Sequence, residues 1–402
     1  MMNIKKDFPW FKNNPGYVYM DSAATSLKPQ CVIDRIVQYY SKECTNTHNT
    51  DSAFAMVTFN AVEQARKTLA NFIGANEDEI AFNSGATEGL NLIANGLKQS
   101  LKQGDEIILT YGEHASNIVP WIHLANEMNL VIKYVGKKFQ TTKPEDYYDV
   151  LSPKTKIVSF ASGHNLTGAT FDEKKVTEIV KKYNSKIFVI VDATQSLQHY
   201  PINVKNIGCD FLVCSGHKLF GPTGIGLVYI KKEIQPFLDP IRYGGGMNFS
   251  ISTNEYQLRN DIEKYEGGTQ NIAGILGWKT SVDYMMNIGY EYIMKHDREL
   301  AEYARQKLSQ IENIIIYNDN IKSATIAFNY DGVFCQDLAN YLGRNKIIVR
   351  SGLSCAKLYC NLIDTKALVR ASFTIYNTKD DIDYLYDVLK KFKKGDELDE
   401  LF

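Results

Sequence analysis

A chain of 402 residues is long enough for two or three domains, and its 44% hydrophobic and 23% charged content is typical of a globular protein. Lysine and arginine (45) nearly balance aspartate and glutamate (46), which gives a net charge of −1. This balance argues against an extended nucleic-acid or membrane-binding surface.

The cysteines and the N-terminus indicate where such a protein works. Seven cysteines, an odd number, are scattered along the chain without the CxxC spacing of zinc sites. This usage suits a reducing compartment rather than a disulfide framework. The N-terminus lacks an apolar targeting segment, and the apolar run 187–191 is too short to span a bilayer. We therefore expect a cytoplasmic protein with no metal site and no membrane partner.

Short apolar runs alternate with helical patterns between residues 55 and 230. The runs predicted as strands are 106–110, 156–160, 187–192, 209–215 and 226–230. They are continuously apolar or β-branched, as expected where both faces of a sheet are covered. Helical patterns such as 87–101 and 172–184 lie between them. The alternation predicts an α/β fold with a mainly parallel sheet.

The pattern changes after residue 272. Long helical stretches over 272–310 precede apolar runs within 313–318, 324–330, 346–352 and 367–373, and a helix is predicted near 378–394. This arrangement predicts a smaller α+β domain. We expect a large domain at 26–271 and a small domain built from 1–25 and 272–402.

The first candidate for ligand binding is the turn at residues 84–87, Ser-Gly-Ala-Thr, between a short strand and a helix that begins near Glu88. Backbone N–H groups and a hydroxyl at a helix N-terminus bind phosphate, and the helix dipole adds to the attraction. The same four residues would also serve as an ordinary helix cap.

Other polar side chains follow the predicted strands, where open α/β sheets bind ligands. They are Glu113 and His114 after the first run, Asp192 and Gln195 after the third, and Ser215, His217 and Lys218 after the fourth. Each of these residues alone reads as an ordinary cap or hydrogen-bonding group. Together with the 84–87 turn they supply a phosphate cradle, a flat ring, an acid and an amine.

The lysine lies in CSGHKLFGPTGIGLVYI, residues 214–230, and precedes the glycines. A phosphate-binding P-loop has its lysine after the glycines, and a dinucleotide fingerprint is followed by a helix rather than a strand. Pyridoxal 5'-phosphate needs the parts found here, because its aldehyde condenses with a lysine, its ring nitrogen needs a carboxylate and its phosphate needs a helix N-terminus.

Motifs spread from residue 19 to 377 carry a family resemblance. They are YMDSAATSLKP, SGATEGLNLIANGL, EHASNIVPW, VDATQSLQHYPINV, CDFLVCSGHKLFGPTGIGLVYI, YEGGTQN and RASFTIYNT. The chain resembles the class V (NifS-like) pyridoxal-phosphate enzymes, specifically the group II cysteine desulfurases and selenocysteine lyases. The resemblance implies the PLP-dependent transferase fold type I.

The resemblance also implies residue roles. Lys218 would bind the cofactor aldehyde and later carry a proton, Asp192 would keep the ring nitrogen protonated, and His114 would stack on the ring as an acid or base. The remaining cofactor contacts implied are Asn165 and Gln195 at the ring oxygen, Ala86, Thr87, Ser215 and His217 at the phosphate, and Thr269 at the phosphate of a neighbouring subunit. The last of these implies a homodimer.

On the substrate side, Arg370 would bind the carboxylate, since a guanidinium can do so with two hydrogen bonds. Arg350 and Asn165 are further candidates for substrate binding, and Arg350 is also a candidate for activating a thiol. His48 corresponds to a histidine near the active-site entrance of relatives, although it could equally cap the following helix.

Desulfuration requires a nucleophilic cysteine, and VRSGLSCAKLYC at 349–360 offers Cys355. A thiolate there would take sulfur from L-cysteine as a persulfide and release alanine. The segment departs from the family at Leu353-Ser354 and at 357–359, which affects expectations about the loop and the sulfur acceptor. Cys360 is either a second thiol in sulfur transfer or incidental.

The expected activity is a cysteine desulfurase that supplies an acceptor protein of the iron–sulfur assembly type or another sulfur-transfer route. Alternatives of the same class are a selenocysteine lyase, an aminotransferase or another lyase, with Cys355 as a bystander. A nicotinamide- or ATP-dependent Rossmann enzyme would also explain the α/β alternation. It would need a strand–glycine–helix fingerprint, which this sequence lacks. A catalytically inactive scaffold is disfavoured because lysine, aspartate and histidine are all present.

Overall fold

The computed structural model describes residues 4–47, 51–136, 142–317 and 324–396. The strands in these ranges are β1 (Val18–Tyr19), β2 (Ile80–Asn83), β3 (Glu106–Thr110), β4 (Val131–Val135), β5 (Thr155–Ala161), β6 (Phe188–Asp192), β7 (Phe211–Ser215), β8 (Gly226–Ile230), β9 (Asn248–Ile251), β10 (Tyr256–Leu258), β11 (Ile314–Ile316), β12 (Thr325–Tyr330), β13 (Ile347–Ile348), β14 (Arg350–Gly352) and β15 (Leu368–Ser372). The α-helices are α1 (Pro9–Asn13), α2 (Gln30–Gln38), α3 (Ala53–Phe72), α4 (Ala86–Gly96), α5 (Val119–Met128), α6 (Glu173–Tyr183), α7 (Val204–Ile207), α8 (Ile272–Ile288), α9 (Tyr290–Leu308), α10 (Cys335–Arg344), α11 (Lys357–Leu362) and α12 (Lys379–Lys391).

A seven-stranded sheet with strand order β2-β8-β7-β6-β5-β3-β4 forms the centre of the large unit. Strands β7, β6, β5, β3 and β4 are parallel, whereas β8 runs antiparallel to both β7 and β2. Every residue of β3, β7 and β8 is buried, which explains their continuous apolar sequences. Because the parallel strands end at one edge, their C-terminal residues meet there.

The second sheet, of order β11-β12-β15-β14, is antiparallel and lies in the C-terminal part of the chain. β1, close to the N-terminus, pairs in parallel with β13, so the first segment of the chain is tied to the C-terminal unit. The core of the C-terminal unit consists of residues from β12, β15, α9, α10 and α12, such as Phe328, Leu338, Val369 and Leu385.

Most elements agree with the sequence expectations, and the α/β fold class is confirmed. The five strands expected between 106 and 230 are β3, β5, β6, β7 and β8. β4 was not predicted because it is an edge strand with a half-exposed, mixed sequence, Val-Ile-Lys-Tyr-Val. The helical stretch expected at 272–310 is two helices, α8 and α9, separated at Gly289, whose φ of +83° favours glycine.

Helix α8 bears on the domain boundary placed at residue 272. Its buried residues Ile275, Trp278 and Val282 belong to the core of the large unit, and Ser281 bonds the carbonyl of Leu219. The division into 26–271 and 1–25 plus 272–402 stays a prediction. We propose that its boundary lies after α8 rather than before it.

None of the helices in the part of the chain that the structure describes is long and apolar enough to cross a bilayer. The described side chains also include no group of three or more histidine, cysteine or acidic residues arranged to hold a metal ion.

Candidate active site

A cavity of about 470 Å³ lies where the strands of the large sheet meet the C-terminal unit. Twelve of the residues predicted for the site line it: Ala86, Thr87, His114, Asn165, Asp192, Gln195, Ser215, His217, Lys218, Arg350, Cys355 and Arg370. Residues separated by almost 300 positions in sequence therefore share one cavity.

The N-terminus of α4 forms the part of the cavity where the sequence predicts a phosphate site. The Ala86 N–H donates to Ser215 Oγ at 2.8 Å, which joins the start of this helix to the end of β7. Thr87 Oγ1 and Ser116 Oγ form a second hydroxyl pair, 2.7 Å apart. Gly85 has a φ of +147°, and a Cβ there would lie 3.2 Å from Ser215 Oγ. The glycine thus allows hydroxyls and N–H groups to converge at a helix N-terminus.

Asp192 ends β6 and is largely buried. Its Oδ1 accepts a hydrogen bond from the Thr194 N–H at 3.0 Å. The Thr194 hydroxyl, which was not singled out from the sequence, lines the same cavity and has no partner among the described residues. The strand end therefore presents a fixed carboxylate beside a free hydroxyl.

Lys218 lies in the turn that follows β7. Burial lowers the pKa of its amine from 10.5 to about 8, and the neighbouring Asp192 opposes that change while Arg370 adds to it. An amine with this pKa is about half neutral at pH 8, whereas an ordinary lysine is almost entirely protonated there. This is the property that condensation with an aldehyde requires.

His114 follows β3, and its Nδ1 accepts from the Ser116 N–H at 3.1 Å. In the neutral ring the proton is therefore on Nε2. Burial, and then the charge of Lys218, lower the pKa of His114. The preceding Glu113 is fully buried, and its carboxylate accepts from Thr110, Asn117 and the Ala161 N–H. These bonds anchor the turn that presents His114.

Two further predicted cofactor residues, Gln195 at the ring oxygen and His217 at the phosphate, are tied to the N-terminal segment. Gln195 Nε2 donates to the Ala23 carbonyl at 3.0 Å. His217 Nδ1 lies 3.2 Å from Thr25 Oγ1, and its carbonyl accepts from the Ser26 hydroxyl. Burial lowers the pKa of His217 to about 4, so this ring is neutral near pH 7.

Cys355 lies in a loop with unusual backbone geometry. Ser354 and Cys355 have φ values of +45° and +59°, and neither is glycine. Two hydrogen bonds hold the loop: Asn165 Nδ2 donates to the Ser354 carbonyl at 2.5 Å, and the Ala115 N–H donates to the Cys355 carbonyl at 2.9 Å. The Cys355 side chain is exposed. Consecutive left-handed residues that are held in this way are typical of functional loops.

Arg370, in the middle of β15, is almost fully buried. Its Nη1 donates to the Asn165 carbonyl at 2.8 Å and its Nη2 to Asp21 Oδ1 at 2.7 Å. Arg350 Nε lies 3.4 Å from the other oxygen of Asp21. Sequence reasoning missed Asp21, although it stands in the quoted motif YMDSAATSLKP, because a contact across 349 positions leaves no local signal.

Two residues singled out from the sequence, Thr269 and Cys360, are not among those that line this cavity. Thr269 is exposed. His48 lies outside the described residues. Cys360 is buried, and burial raises the pKa of its thiol to about 11, which makes it a poor nucleophile near neutral pH.

These residues fit pyridoxal phosphate. The helix N-terminus with its hydroxyls suits a dianionic phosphate, the Asp192 carboxylate suits a ring nitrogen that carries a proton, and Lys218 supplies the amine. The Asn165 Oδ1 and Thr194 Oγ1 atoms are buried without partners among the described residues. Buried polar atoms of this kind indicate that a polar ligand completes the site.

Comparisons with known proteins agree with this arrangement. The family model described as aminotransferase class-V matches residues 18–385. The chain is 52% identical to a probable cysteine desulfurase of Ureaplasma parvum serovar 3, covering 99% of both chains. Among solved structures it resembles a cysteine desulfurase from Thermococcus onnurineus NA1 (32% identity, TM-score 0.93, 96% of both chains covered). It also resembles a cysteine desulfurase from Escherichia coli (29% identity, TM-score 0.90, 96% of this chain and 97% of the other).

Proposed function

The chain belongs to the cysteine desulfurases of the class-V aminotransferase family, and on that premise we propose that it converts L-cysteine to L-alanine and stores the sulfur as a persulfide on Cys355. The observation that carries the proposal is that Lys218, Cys355 and Arg370 line one cavity. An amine that anchors the cofactor, a thiol and a carboxylate-binding cation are the three groups that this reaction needs.

Bound pyridoxal phosphate supplies the electron sink that labilises bonds of the amino acid. The residues that would hold its phosphate are Ala86, Thr87, Ser215 and His217, and Thr269 of the neighbouring subunit would add a further contact. Asp192 would keep the ring nitrogen protonated, His114 would stack on the ring, and Asn165 and Gln195 would bind the ring oxygen.

Arg370 binds the α-carboxylate of the substrate, with Arg350 and Asn165 beside it. Arg370 Nε is buried and has no acceptor among the described residues, so a donor remains for a ligand. Burial of the guanidinium strengthens such a charge-assisted bond because water competes less there.

Sulfur transfer requires the Cys355 thiolate. Its Sγ bonds to the substrate sulfur, the carbon–sulfur bond of the substrate breaks, and the carbon takes up a proton, so that cysteine and a thiol become alanine and a persulfide. Lys218, whose pKa is near 8, can both hold and release that proton. His114 is the second candidate, since its Nε2 carries a proton in the neutral ring.

A homodimer is part of the proposal, because Thr269 would contact the phosphate of the neighbouring subunit. In support, the Gly268 N–H bonds the Gly245 carbonyl at 2.8 Å, which links this segment to the loop before the β9–β10 hairpin. On that hairpin Phe249 and Ile251 are 80% and 76% exposed. Apolar side chains exposed next to each other are typical of interfaces.

We propose a cytoplasmic location and a sulfur-acceptor protein of the iron–sulfur assembly type as partner. All seven cysteines are unpaired, which suits a reducing compartment. The exposed Cys355 makes a persulfide accessible to an acceptor.

The test uses purified protein loaded with pyridoxal phosphate and given L-cysteine and a reductant. We expect equal amounts of alanine and sulfide and, without reductant, one extra sulfur atom on the peptide that contains Cys355. Cys355→Ser abolishes both, whereas Cys360→Ser, a matched change of a buried thiol, retains them. Sulfide release by Cys355→Ser at the parental rate would contradict the proposal.

A further inference from the structure

Two arginines that line the cavity are direct neighbours on adjacent strands. Arg350 of β14 pairs with Arg370 of β15 across the antiparallel ladder. Like charges directly opposite each other in such a ladder repel. Asp21 lies between them, with Oδ1 on Arg370 Nη2 at 2.7 Å and Oδ2 near Arg350 Nε at 3.4 Å.

The burial of the three side chains differs and assigns their roles. The Arg370 side chain is 2% exposed, that of Asp21 13% and that of Arg350 50%. The charge of Arg370 is therefore stabilised by its hydrogen-bond partners rather than by water, whereas Arg350 is half exposed to solvent at the cavity wall. Two guanidinium groups and one carboxylate leave one unit of positive charge, which matches one carboxylate of a ligand.

We propose that Asp21 is a specificity-determining residue that limits the site to amino acids with a single carboxylate. The inference rests on the proposed function, in which Arg370 binds the α-carboxylate. Asp21 also holds the guanidinium of Arg370 in place, together with the Asn165 carbonyl. Without the Asp21 charge, Arg350 and Arg370 would form a doubly positive site that favours a dicarboxylate.

The probes are L-alanine and L-aspartate, which differ by one carboxylate. Their affinities are measured from the change in visible absorbance of the enzyme loaded with pyridoxal phosphate. Asp21→Asn raises the affinity for L-aspartate relative to L-alanine by about tenfold or more, since a second carboxylate gains a charge-assisted partner. A ratio of affinities is insensitive to a general loss of binding.

Charge restoration separates this role from a structural one. In Asp21→Asn with Arg350→Gln the cluster of residues 21, 350 and 370 again carries one positive charge, and the affinity ratio returns towards the parental value. Asp381→Asn breaks another carboxylate–cation pair, to Lys5 at 2.8 Å, and leaves the ratio unchanged. Arg350→Gln alone shifts the ratio the opposite way and provides the test if Asp21→Asn does not fold.

An unchanged ratio in folded Asp21→Asn, or no return in the double variant, overturns the inference. Failure of the proposed function looks different, because the parental enzyme would then form neither alanine nor a persulfide from L-cysteine. If only the role of Asp21 is wrong, the parental enzyme still forms both alanine and the persulfide.

Discussion

The two walls of the cavity are built differently. The wall that would hold the cofactor consists of residues at the ends of buried strands and at the start of α4, such as Asp192, Ser215 and Ala86. The wall that carries Cys355 is a loop with two left-handed residues, held by Asn165 and Ala115. Sheet topology alone places the first wall, whereas the second depends on a few hydrogen bonds between distant segments.

The largest effect is expected for Lys218→Ala, in the wall that would hold the cofactor. We expect kcat/KM with L-cysteine to fall by about 10⁴-fold or more, because both the anchoring amine and a proton carrier are lost. The visible absorbance of the bound cofactor also changes. Lys28 is a second lysine whose pKa is lowered by burial to about 8, although its side chain is only partly buried. Full activity of Lys218→Ala supported by Lys28 would show that Lys218 is not the anchoring amine.

The next largest effect is expected for Asp192→Asn. The amide cannot keep the ring nitrogen protonated, so kcat falls by about a hundredfold. Asp210→Asn is the matched control, because Asp210 is equally buried but bonds Lys181 and the Val189 N–H instead of lining the cavity. Steady-state kinetics should show the loss in the first variant, and a similar loss in both would assign it to general destabilisation.

A smaller effect is expected from Asn165→Ala, in the wall that carries Cys355. Removing the bond from Asn165 Nδ2 to the Ser354 carbonyl frees the loop, and a hydrogen bond of about 1 kcal/mol corresponds to about a fivefold change in population. We therefore expect Cys355 to be alkylated about fivefold faster. The exposed Cys44 in the same protein provides the internal reference. Equal alkylation rates of Cys355 in the parental protein and in Asn165→Ala would show that this hydrogen bond does not restrain the loop.

The pH dependence of cofactor loading sharpens the contrast further. Because burial lowers the pKa of Lys218 to about 8, its amine loses its proton near that pH. The rate at which the unloaded protein gains the absorbance of bound cofactor should rise about fivefold from pH 7 to 8 and less than about twofold from pH 8 to 9. A rise of about tenfold for each unit from pH 7 to 9 would indicate an ordinary lysine instead.

The same contrast explains what the sequence could predict. Strand ends are local signals, so the sequence predicts His114, Asp192 and Lys218 without information on their contacts. Asp21 was missed because its partner Arg370 is 349 residues away. The left-handed pair Ser354-Cys355 was missed because neither residue is glycine, so the backbone conformation is imposed by tertiary bonds rather than by local preference.

Helix α8 shows a related limit. Its periodicity predicted a helix from residue 272, but not the unit against which it packs. The burial of side chains such as Trp278 shows that α8 shares a core with residues of the large sheet such as Val191 and Leu212.

The most direct test of the central claim is borohydride reduction of the protein loaded with pyridoxal phosphate, followed by peptide mapping. We expect the reduced cofactor to be attached to Lys218. After addition of L-cysteine, Cys355 should gain sulfur in the unreduced sample and none in the reduced sample. Attachment to Lys28 or to any other amine, with Lys218 unmodified, would contradict the claim.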